Sequence, residues 1–420
     1  MKSLSREELK KILREQVMTR YGISQTPTRE NLKETLALAL DKISKDGVAV
    51  SAEDKAALTH QIINELLGLG ILQEWMDDPE VTEIMVNGPH QVYVEKKGKK
   101  ITTETYFEND QALRHLVEKM LRPTGRRLDE LSPYVDFSLP DGSRVNAILP
   151  PLAVGGPFVT IRKFLHSIEA VEDLIEVHTM NAQMAEFLRA CVQAKMNLLF
   201  SGPTGSGKTT TLETLSSYIG ESERIVTIED TLELNLRQEH VVKLLTRGVN
   251  IEGKGEITTR DLFTNSLRMR PSRIILGEIR GKEALDYLQA LNSGHRGTLA
   301  VIHASSPEDT LIRLENLVLY SGLPIPVSAI RTQISHGLDL IVQLAQLSDG
   351  SRKIMHLSEV GDVNAEGNVA TQDVFYFQEE GLSPEGRVLG KFVATGHIPR
   401  FFKRFQMMGI DAKESWFHKG

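Results

Sequence analysis

The chain has very little cysteine and no long apolar run. Its one cysteine, Cys191, excludes an internal disulfide and a four-cysteine zinc site. Because Cys191 lies in the apolar stretch 187–192, we expect a packed side chain rather than a reactive thiol. No apolar run reaches the roughly eighteen residues that a membrane span needs. The charged residues 1–8 also lack the apolar core of a signal peptide. These absences predict a cytoplasmic, reducing location.

Basic residues are in the minority. The chain carries 49 Lys and Arg against 56 Asp and Glu, a formal net charge of -7. A protein that mainly binds nucleic acid would carry more basic than acidic residues, so no nucleic-acid partner is expected. The tract 96–100 has four lysines around Gly98, but one short basic run on an acidic protein is more typical of a solvated hairpin turn than of a lipid-binding patch.

The length of 420 residues exceeds one ordinary hydrophobic core, and the pattern changes along the chain. Residues 1–70 show apolar positions at helical spacing and predict a helical bundle, with capping boxes at Ser5 and Ser51. Residues 71–166 mix strands, hairpins and one helix, which predicts an α+β domain. A linker is expected at 167–178. Strands and helices alternate over 179–350, which predicts an α/β domain with a parallel sheet covered by helices on both faces. Residues 351–420 return to short strands, near 353–357 and 373–377, and end in a helix.

A phosphate-binding loop is the clearest motif in the α/β region. Residues 202–209 read Gly-Pro-Thr-Gly-Ser-Gly-Lys-Thr, a full match to G-x-x-x-x-G-K-[ST]. An apolar run at 197–200 predicts a buried strand before the loop, and residues 210–215 predict a helix after it. A glycine-rich turn without a ligand is the alternative, and the matching flanks disfavour it. The predicted nucleotide-binding residues are Gly202, Pro203, Thr204, Gly205, Ser206, Gly207, Lys208, Thr209 and Thr210.

Each part of this loop has a role in holding a nucleoside triphosphate. Gly205 and Gly207 allow backbone conformations that bring N–H groups close to an anion at a helix N-terminus. Lys208 is expected to reach the β- and γ-phosphates, and Thr209 to offer its hydroxyl to Mg²⁺. The expected ligands are therefore ATP and Mg²⁺, although no residue that reads the base excludes GTP.

Paired carboxylates follow the next predicted strand. Residues 224–228 run directly into Glu229 and Asp230. Because ligands of open α/β sheets bind at the carboxyl ends of the strands, both are candidates to hold water around Mg²⁺ or the attacking water. A solvated acidic turn is the alternative.

A further strand ends in a single carboxylate. Residues 273–280 have the shape of a Walker B strand, with Gly277 in the place of the usual metal-binding aspartate. Glu278 is then the candidate that polarises or orients the attacking water. The ligands of Mg²⁺ would then be Thr209, the phosphates and water, together with Glu229 or Asp230.

Histidines flank the last of these strands. His303 follows the apolar segment 298–302 at its carboxyl end, which favours a γ-phosphate sensor over a purely structural histidine. His295 lies in the turn before that strand, and a functional and a structural role remain equally open for it.

Together these residues resemble the secretion ATPase superfamily, which powers type II and type IV secretion, type IV pili and archaeal flagella. Glu229, Asp230 and Glu233 are similar to its Asp box, Gly277 and Glu278 to its atypical Walker B, and Gly294, His295 and His303 to its His box. Segments outside these motifs resemble the CpaF/TadA family, which drives tight-adherence (Flp) pili; they are residues 85–88, 92–95, 125–130, 141–147 and 267–271. The sequence departs from that family at Thr210–Thr211 and at Ser305, without loss of a charged group.

This resemblance implies a homo-hexamer of two-lobed subunits with a RecA-like P-loop ATPase lobe, working through inner-membrane platform proteins at the cytoplasmic face. Nucleotide would lie between the lobes, and Arg144 and Arg162 match the arginines that close over the γ-phosphate. A guanidinium suits that role because it neutralises charge on a transferring phosphoryl group. Salt bridges at strand edges are the alternative for both arginines, and Arg268, Arg270 and Arg280 are weaker candidates for phosphate or subunit contacts.

Four functions compete. The first is a hexameric ATPase that assembles or retracts a pilus, and the second is the same engine in a type IV secretion or conjugation channel. The third is a nucleotide-dependent switch without hydrolysis, which the presence of Glu278, Arg144 and His303 disfavours. The fourth is a helicase, which would need a nucleic-acid surface that the sequence does not show.

Overall fold

The computed structural model describes residues 6–21, 27–45, 48, 50–96, 98–163, 168–249 and 254–419. The chain divides into two compact units, Met1–Leu165 and His166–Gly420. The predicted fold class, α/β with N-terminal helices and a smaller sheet domain, is confirmed. The finer domain boundaries given above stay predictions. No helix in the described part of the chain combines the length and the apolar character that crossing a membrane would require.

The first unit begins with the predicted helical bundle, formed by α1 (Arg6–Tyr21), α2 (Arg29–Lys45) and α3 (Ala52–Leu67). Apolar residues three and four positions apart place one stripe of each helix in a common core, which includes Leu13, Leu36 and Ile62. The Ser51 hydroxyl accepts a hydrogen bond from the Asp54 N–H at 2.9 Å, so the predicted cap of α3 is present. The cap predicted at Ser5 lies outside the described residues.

A six-stranded antiparallel sheet completes this unit, with strand order β3-β2-β1-β6-β5-β4. Every second residue of a strand faces the core, as Val145 and Ala147 do, because strand side chains alternate between faces. Both predicted hairpins form, one joining β2 to β3 and one joining β4 to β5. The elements are β1 (Val81–Asn87), β2 (Val92–Lys96), β3 (Lys99–Thr102), β4 (Tyr134–Ser138), β5 (Arg144–Ile148), β6 (Phe158–Arg162), α4 (Gln73–Asp77) and α5 (Asp110–Leu121).

The second unit contains a nine-stranded sheet of order β15-β14-β13-β12-β7-β11-β10-β8-β9. The six strands from β12 to β9 in that order are parallel, as predicted, and β13 to β15 are added antiparallel. The strands are β7 (Leu198–Ser201), β8 (Ile225–Glu229), β9 (Val241–Leu245), β10 (Arg273–Leu276), β11 (Leu299–Ile302), β12 (Leu340–Gln346), β13 (Arg352–Val363), β14 (Val369–Leu382) and β15 (Val388–Ala394).

Helices cover both faces of this sheet. Leu198 and Phe200 of β7 join one apolar core, whereas Leu199 joins the core on the other face. The helices are α6 (Val171–Glu176), α7 (Ala182–Gln193), α8 (Lys208–Ser216), α9 (Thr259–Ser266), α10 (Glu283–Asn292), α11 (Pro307–Leu319), α12 (Val327–Gly337) and α13 (Phe402–Met407). Cys191 is fully buried in the first core, and burial raises the pKa of its thiol, as expected for a packing residue.

Two expectations need correction. The strands expected near 353–357 and 373–377 are much longer, because β13 has 12 residues and β14 has 14, and both extend the large sheet. Part of the stretch predicted as a linker forms helix α6, whose Val171 and Leu174 are buried. The aromatic tail packs as a closing helix, with Phe402 and Phe405 in the first core.

Glu213 on α8 carries a carboxyl group that is costly to ionise. Burial raises its pKa from the ordinary 4.5 to about 7, against the opposing hydrogen bond from the Asn235 backbone. Since the folded pKa lies above the unfolded one, stability is lost as the pH rises from about 4.5 to about 7. We expect Glu213→Gln to raise the free energy of unfolding by about 2 kcal/mol at pH 8, and to change it little at pH 4.5. Chemical denaturation at both pH values measures this, with the exposed Glu221→Gln as control; an equal gain at both pH values would contradict it.

Candidate functional site

The loop between β7 and α8 has the conformation that phosphate binding needs. Gly205 has φ of 80° and Gly207 has φ of 91°, both in the left-handed region that glycine adopts without strain. Gly207 is the N-cap residue of α8, so the N–H groups of the first helical turn point toward the loop. This is the geometry in which a helix N-terminus binds an anion.

Lys208 lies inside this loop, with only 6% of its surface exposed. Its Nζ donates to the Pro203 carbonyl at 2.8 Å and lies 3.4 Å from His303 Nδ1. The hydroxyl of Ser206 is buried as well and has no hydrogen-bond partner among the described residues. A buried ammonium and an unpartnered hydroxyl beside a helix N-terminus suit the oxygens of a phosphate chain, so the residues present fit a nucleotide.

Glu278 and His303 meet next to Lys208. Strand order β7-β11-β10 places the carboxyl ends of three neighbouring parallel strands at one edge of the sheet, so the residues that follow them converge. His303 Nε2 lies 3.2 Å from Glu278 Oε1, and Arg280 donates to Glu278 Oε2 at 2.6 Å. A continuous polar chain therefore runs from Lys208 through His303 to Glu278 and Arg280.

The protonation states follow from these contacts. Burial raises the pKa of Glu278, but the hydrogen bond from Arg280 and the nearby positive charges outweigh it and hold that pKa below the ordinary value. Burial lowers the pKa of His303 despite the Glu278 carboxylate. An ionised Glu278 beside a neutral imidazole results, and the contacts assign the His303 proton to Nε2, with Nδ1 accepting from Lys208.

Glu229 and Asp230, expected to act alike, have different surroundings. Glu229 is buried, and its Oε1 accepts hydrogen bonds from the N–H groups of Glu233 and Leu234, each at 2.9 Å. Burial raises the pKa of Glu229 to about 7, and its Oε2 has no partner among the described residues. The side chain of Glu229 thus shapes the loop that follows β8.

Asp230 is exposed and belongs to the site through Arg280. Its Oδ1 accepts from the hydroxyls of Thr246 and Thr259 at 3.0 and 3.3 Å, and its Oδ2 lies 3.6 Å from Arg280 Nη1. Arg280 therefore contacts both Asp230 and Glu278. The sequence analysis ranked Arg280 only as a weaker candidate, because no motif assigns it a role.

Steric contact explains why a glycine, Gly277, occupies the place of the usual Walker B aspartate. A Cβ at Gly277 would lie 3.0 Å from Glu229 Cγ and 3.4 Å from the Ile228 carbonyl oxygen. Such a distance is tighter than ordinary van der Waals contact, so the Glu229 side chain fills the space that an aspartate at 277 would need. In the described part of the chain no group of three or more His, Cys, Asp or Glu side chains is arranged around a metal position.

Arg144 and Arg162 belong to the first unit. They are direct partners in the register of β5 and β6, so their side chains share one face of that sheet. Arg162 Nε lies 3.8 Å from Glu83 Oε1, which is a long and partly exposed ion pair. Glu83 stands opposite Arg162 in the register of β1 and β6 and offsets part of the positive charge of the two arginines. Their role at the nucleotide stays a prediction.

The structure adds two features beside the phosphate-binding loop that the sequence does not indicate. Arg352, at the start of β13, donates from Nε to the Gly205 carbonyl at 2.8 Å. A cavity of about 630 Å³ opens beside the loop and is lined in part by Pro203, His303, Arg313 and Tyr320.

His295 precedes β11 and therefore lies at the opposite end of that strand from His303, which favours a structural role for His295.

Comparison of the sequence with known proteins identifies related chains. Residues 65–383, more than half of the chain, match the family described as type II/IV secretion system protein. A candidate conjugal transfer protein of Mycobacterium tuberculosis is 33% identical over 331 residues, which cover 77% of this chain and 93% of that protein. VirB11 of Agrobacterium fabrum is 31% identical over 320 residues, covering 69% of this chain and 90% of VirB11.

A solved structure gives the same fold. The crystal structure of the pilus retraction motor PilT with bound ADP aligns with a TM-score of 0.51 and 20% identity, over 71% of this chain and 84% of that chain. At this identity the likeness supports the fold alone.

Proposed function

This chain belongs to the type II/IV secretion system protein family, and from that premise we propose that it is an ATPase whose hydrolysis cycle powers a secretion or pilus machine. The observation that carries the proposal is the polar chain Lys208–His303–Glu278 at the P-loop. It joins a phosphate-binding ammonium to an ionised carboxylate at the edge of the sheet where a γ-phosphate would lie.

Each residue of the site has a task in hydrolysis. The loop amides and Lys208 bind the phosphates, and Glu278 orients the attacking water and takes its proton. Neutral His303 connects Lys208 with Glu278 and is placed to respond to the γ-phosphate. Thr209, with Glu229 or Asp230 through water, would hold Mg²⁺, which supplies charge neutralisation on the phosphates. The surroundings of Glu229 favour Asp230 for that task, since Glu229 Oε1 already accepts two backbone hydrogen bonds.

Arg144 and Arg162 complete the proposed machinery. The two arginines are register partners on β5 and β6, so their side chains share a single sheet face. We propose that they neutralise the transferring phosphoryl group, as arginines do in other phosphoryl-transfer enzymes. The working unit proposed is a homo-hexamer that acts on inner-membrane platform proteins at the cytoplasmic face of the membrane.

The proposed machine is a tight-adherence pilus, because segments such as 85–88 and 125–130 resemble the CpaF/TadA family. A type IV secretion or conjugation channel is the second candidate, and the names of the relatives favour it: VirB11, and a candidate conjugal transfer protein. Loss of surface filaments on deletion of the gene would support the first, and loss of DNA or protein transfer with filaments retained would support the second.

Purified protein tests the ATPase directly. We expect magnesium-dependent ATP hydrolysis by a species whose native mass is six times the 46.9 kDa of one chain. Hydrolysis and native mass are measured in one buffer, with and without nucleotide, and the Lys208→Ala variant controls for contaminating ATPases. A protein that binds ATP at a defined affinity and does not hydrolyse it, even with membranes that contain its platform proteins, would favour the nucleotide-switch alternative.

A further inference from the structure

The turn between β12 and β13 lies against the outer side of the phosphate-binding loop. Arg352 Nε donates to the Gly205 carbonyl at 2.8 Å, although 147 residues separate the two in the chain. The stem of Arg352 fills the space beside Gly207, where a Cβ would meet Arg352 Cδ at 3.1 Å. Gln346 approaches from β12, since a Cβ at Gly205 would meet its Oε1 at 3.4 Å. Two glycines of the loop therefore have this turn as their neighbour.

This turn is held by hydrogen bonds of its own. The Leu347 N–H donates to the Ser351 carbonyl at 2.8 Å, and the Gly350 N–H donates to the Leu347 carbonyl at 2.9 Å. Asp349 accepts from the N–H groups of Ser351 and Val388, each at 2.9 Å, which ties the turn to the start of β15. Arg352 thus projects from a fixed part of the large sheet.

The contact involves one peptide group of the loop, the one that joins Gly205 to Ser206. The Gly205 carbonyl and the Ser206 N–H belong to the same planar trans peptide, so they point in opposite directions. The carbonyl accepts the hydrogen bond from Arg352, and the Ser206 N–H donates to the Pro203 carbonyl at 3.4 Å within the loop. That Pro203 oxygen also accepts from Lys208 Nζ, so the N–H lies on the inner side of the loop. Glycine on either side of Ser206 leaves the backbone there little intrinsic resistance to rotation.

We propose that Arg352 is a positioning residue for nucleotide binding: its hydrogen bond to the Gly205 carbonyl holds the Gly205–Ser206 peptide, and with it the turn closed by the Ser206 N–H and the Pro203 carbonyl, in the loop conformation that surrounds a phosphate chain. This inference rests on the proposed function, because it takes the loop to bind a nucleoside di- or triphosphate. Arg352 acts through the backbone on the outer side of the loop, so it lowers the cost of ordering the bound conformation. Its loss should therefore weaken binding more than it slows the chemical step.

Calorimetric titration with MgADP tests this in the full-length chain. Arg352→Met keeps the aliphatic stem and removes the donor, and we expect the Kd to rise roughly tenfold, the effect of losing one charge-assisted hydrogen bond at an exposed position. In steady-state hydrolysis the KM for ATP should rise similarly, with kcat changed by less than about threefold. Arg352→Lys, which keeps a donor and the charge, should restore most of the affinity.

The matched control is Arg387→Ala, an exposed arginine in the turn before β15, which should bind MgADP like wild type. Arg352→Ala is a second variant with the same expected direction, and melting temperatures without nucleotide check that all variants fold. Unchanged affinity in Arg352→Met, or an equal loss in Arg387→Ala, would overturn the positioning role. A wild-type chain that binds no MgADP would overturn the proposed function itself, which separates the two failures.

Discussion

Glu278→Gln is expected to reduce steady-state ATP hydrolysis by about 10²–10⁴-fold, the usual contribution of a general base. Glutamine keeps the shape of the side chain and can still accept from Arg280, but it cannot take a proton from water. The ionised state of Glu278, maintained by Arg280 despite partial burial, is the property that the substitution removes. Binding of MgADP should stay within about threefold of wild type, because Lys208 and the loop amides are untouched.

The measurement is a coupled ATPase assay together with calorimetric MgADP binding on the same preparation. Glu221→Gln, which changes an exposed carboxyl group in the turn after α8, should leave both unchanged. Retention of normal turnover in Glu278→Gln would show that another group activates the water. Asp230 would then be the next candidate, since Arg280 connects it with Glu278.

Gly277→Asp, which restores the aspartate usual in a Walker B strand, is expected to destabilise the second unit rather than to improve metal binding. The new Cβ would lie 3.0 Å from Glu229 Cγ. A second carboxyl group would also be placed against buried Glu229, whose pKa burial already raises to about 7. Overpacking and the repulsion of like charges together should lower the free energy of unfolding by about 3 kcal/mol. The rate of ATP hydrolysis should fall together with the free energy of unfolding.

Thermal denaturation and the ATPase assay measure these effects. Gly248→Asp is the matched control, because a Cβ there meets nothing within 4 Å. The double variant Glu229→Ala with Gly277→Asp should recover part of the lost stability, since it removes the side chain that fills the space. A single Gly277→Asp variant as stable and active as wild type would mean that Glu229 does not determine the glycine at this position.

Much of the site could be predicted because it depends on local pattern and on one rule of sheet topology. The P-loop motif predicts its own conformation, with Gly205 and Gly207 in the left-handed region. Glu278 and His303 each follow an apolar run that reads as a buried strand, and the carboxyl ends of parallel strands meet at one edge. That rule predicts that the two lie at the same edge of the sheet as the loop, and the strand order β7-β11-β10 then brings them next to it. Their distances, and the place of Lys208 between them and the loop, required the structure.

Local sequence pattern by itself determined the three N-terminal helices, the hairpins of the first unit and the parallel sheet. A motif match identified the P-loop, and the apolar runs before Glu278 and His303 placed both at the edge of the sheet. These features follow from contacts close in sequence or from the regular alternation of side chains. Tertiary structure alone decided that Glu229 turns into the core, that its side chain requires a glycine at 277, and that Arg352 supports Gly205. It also decided that β13 to β15 extend the large sheet. Each of these depends on pairing between segments far apart in the chain, which local pattern cannot specify because the partner is chosen only when the whole sheet packs.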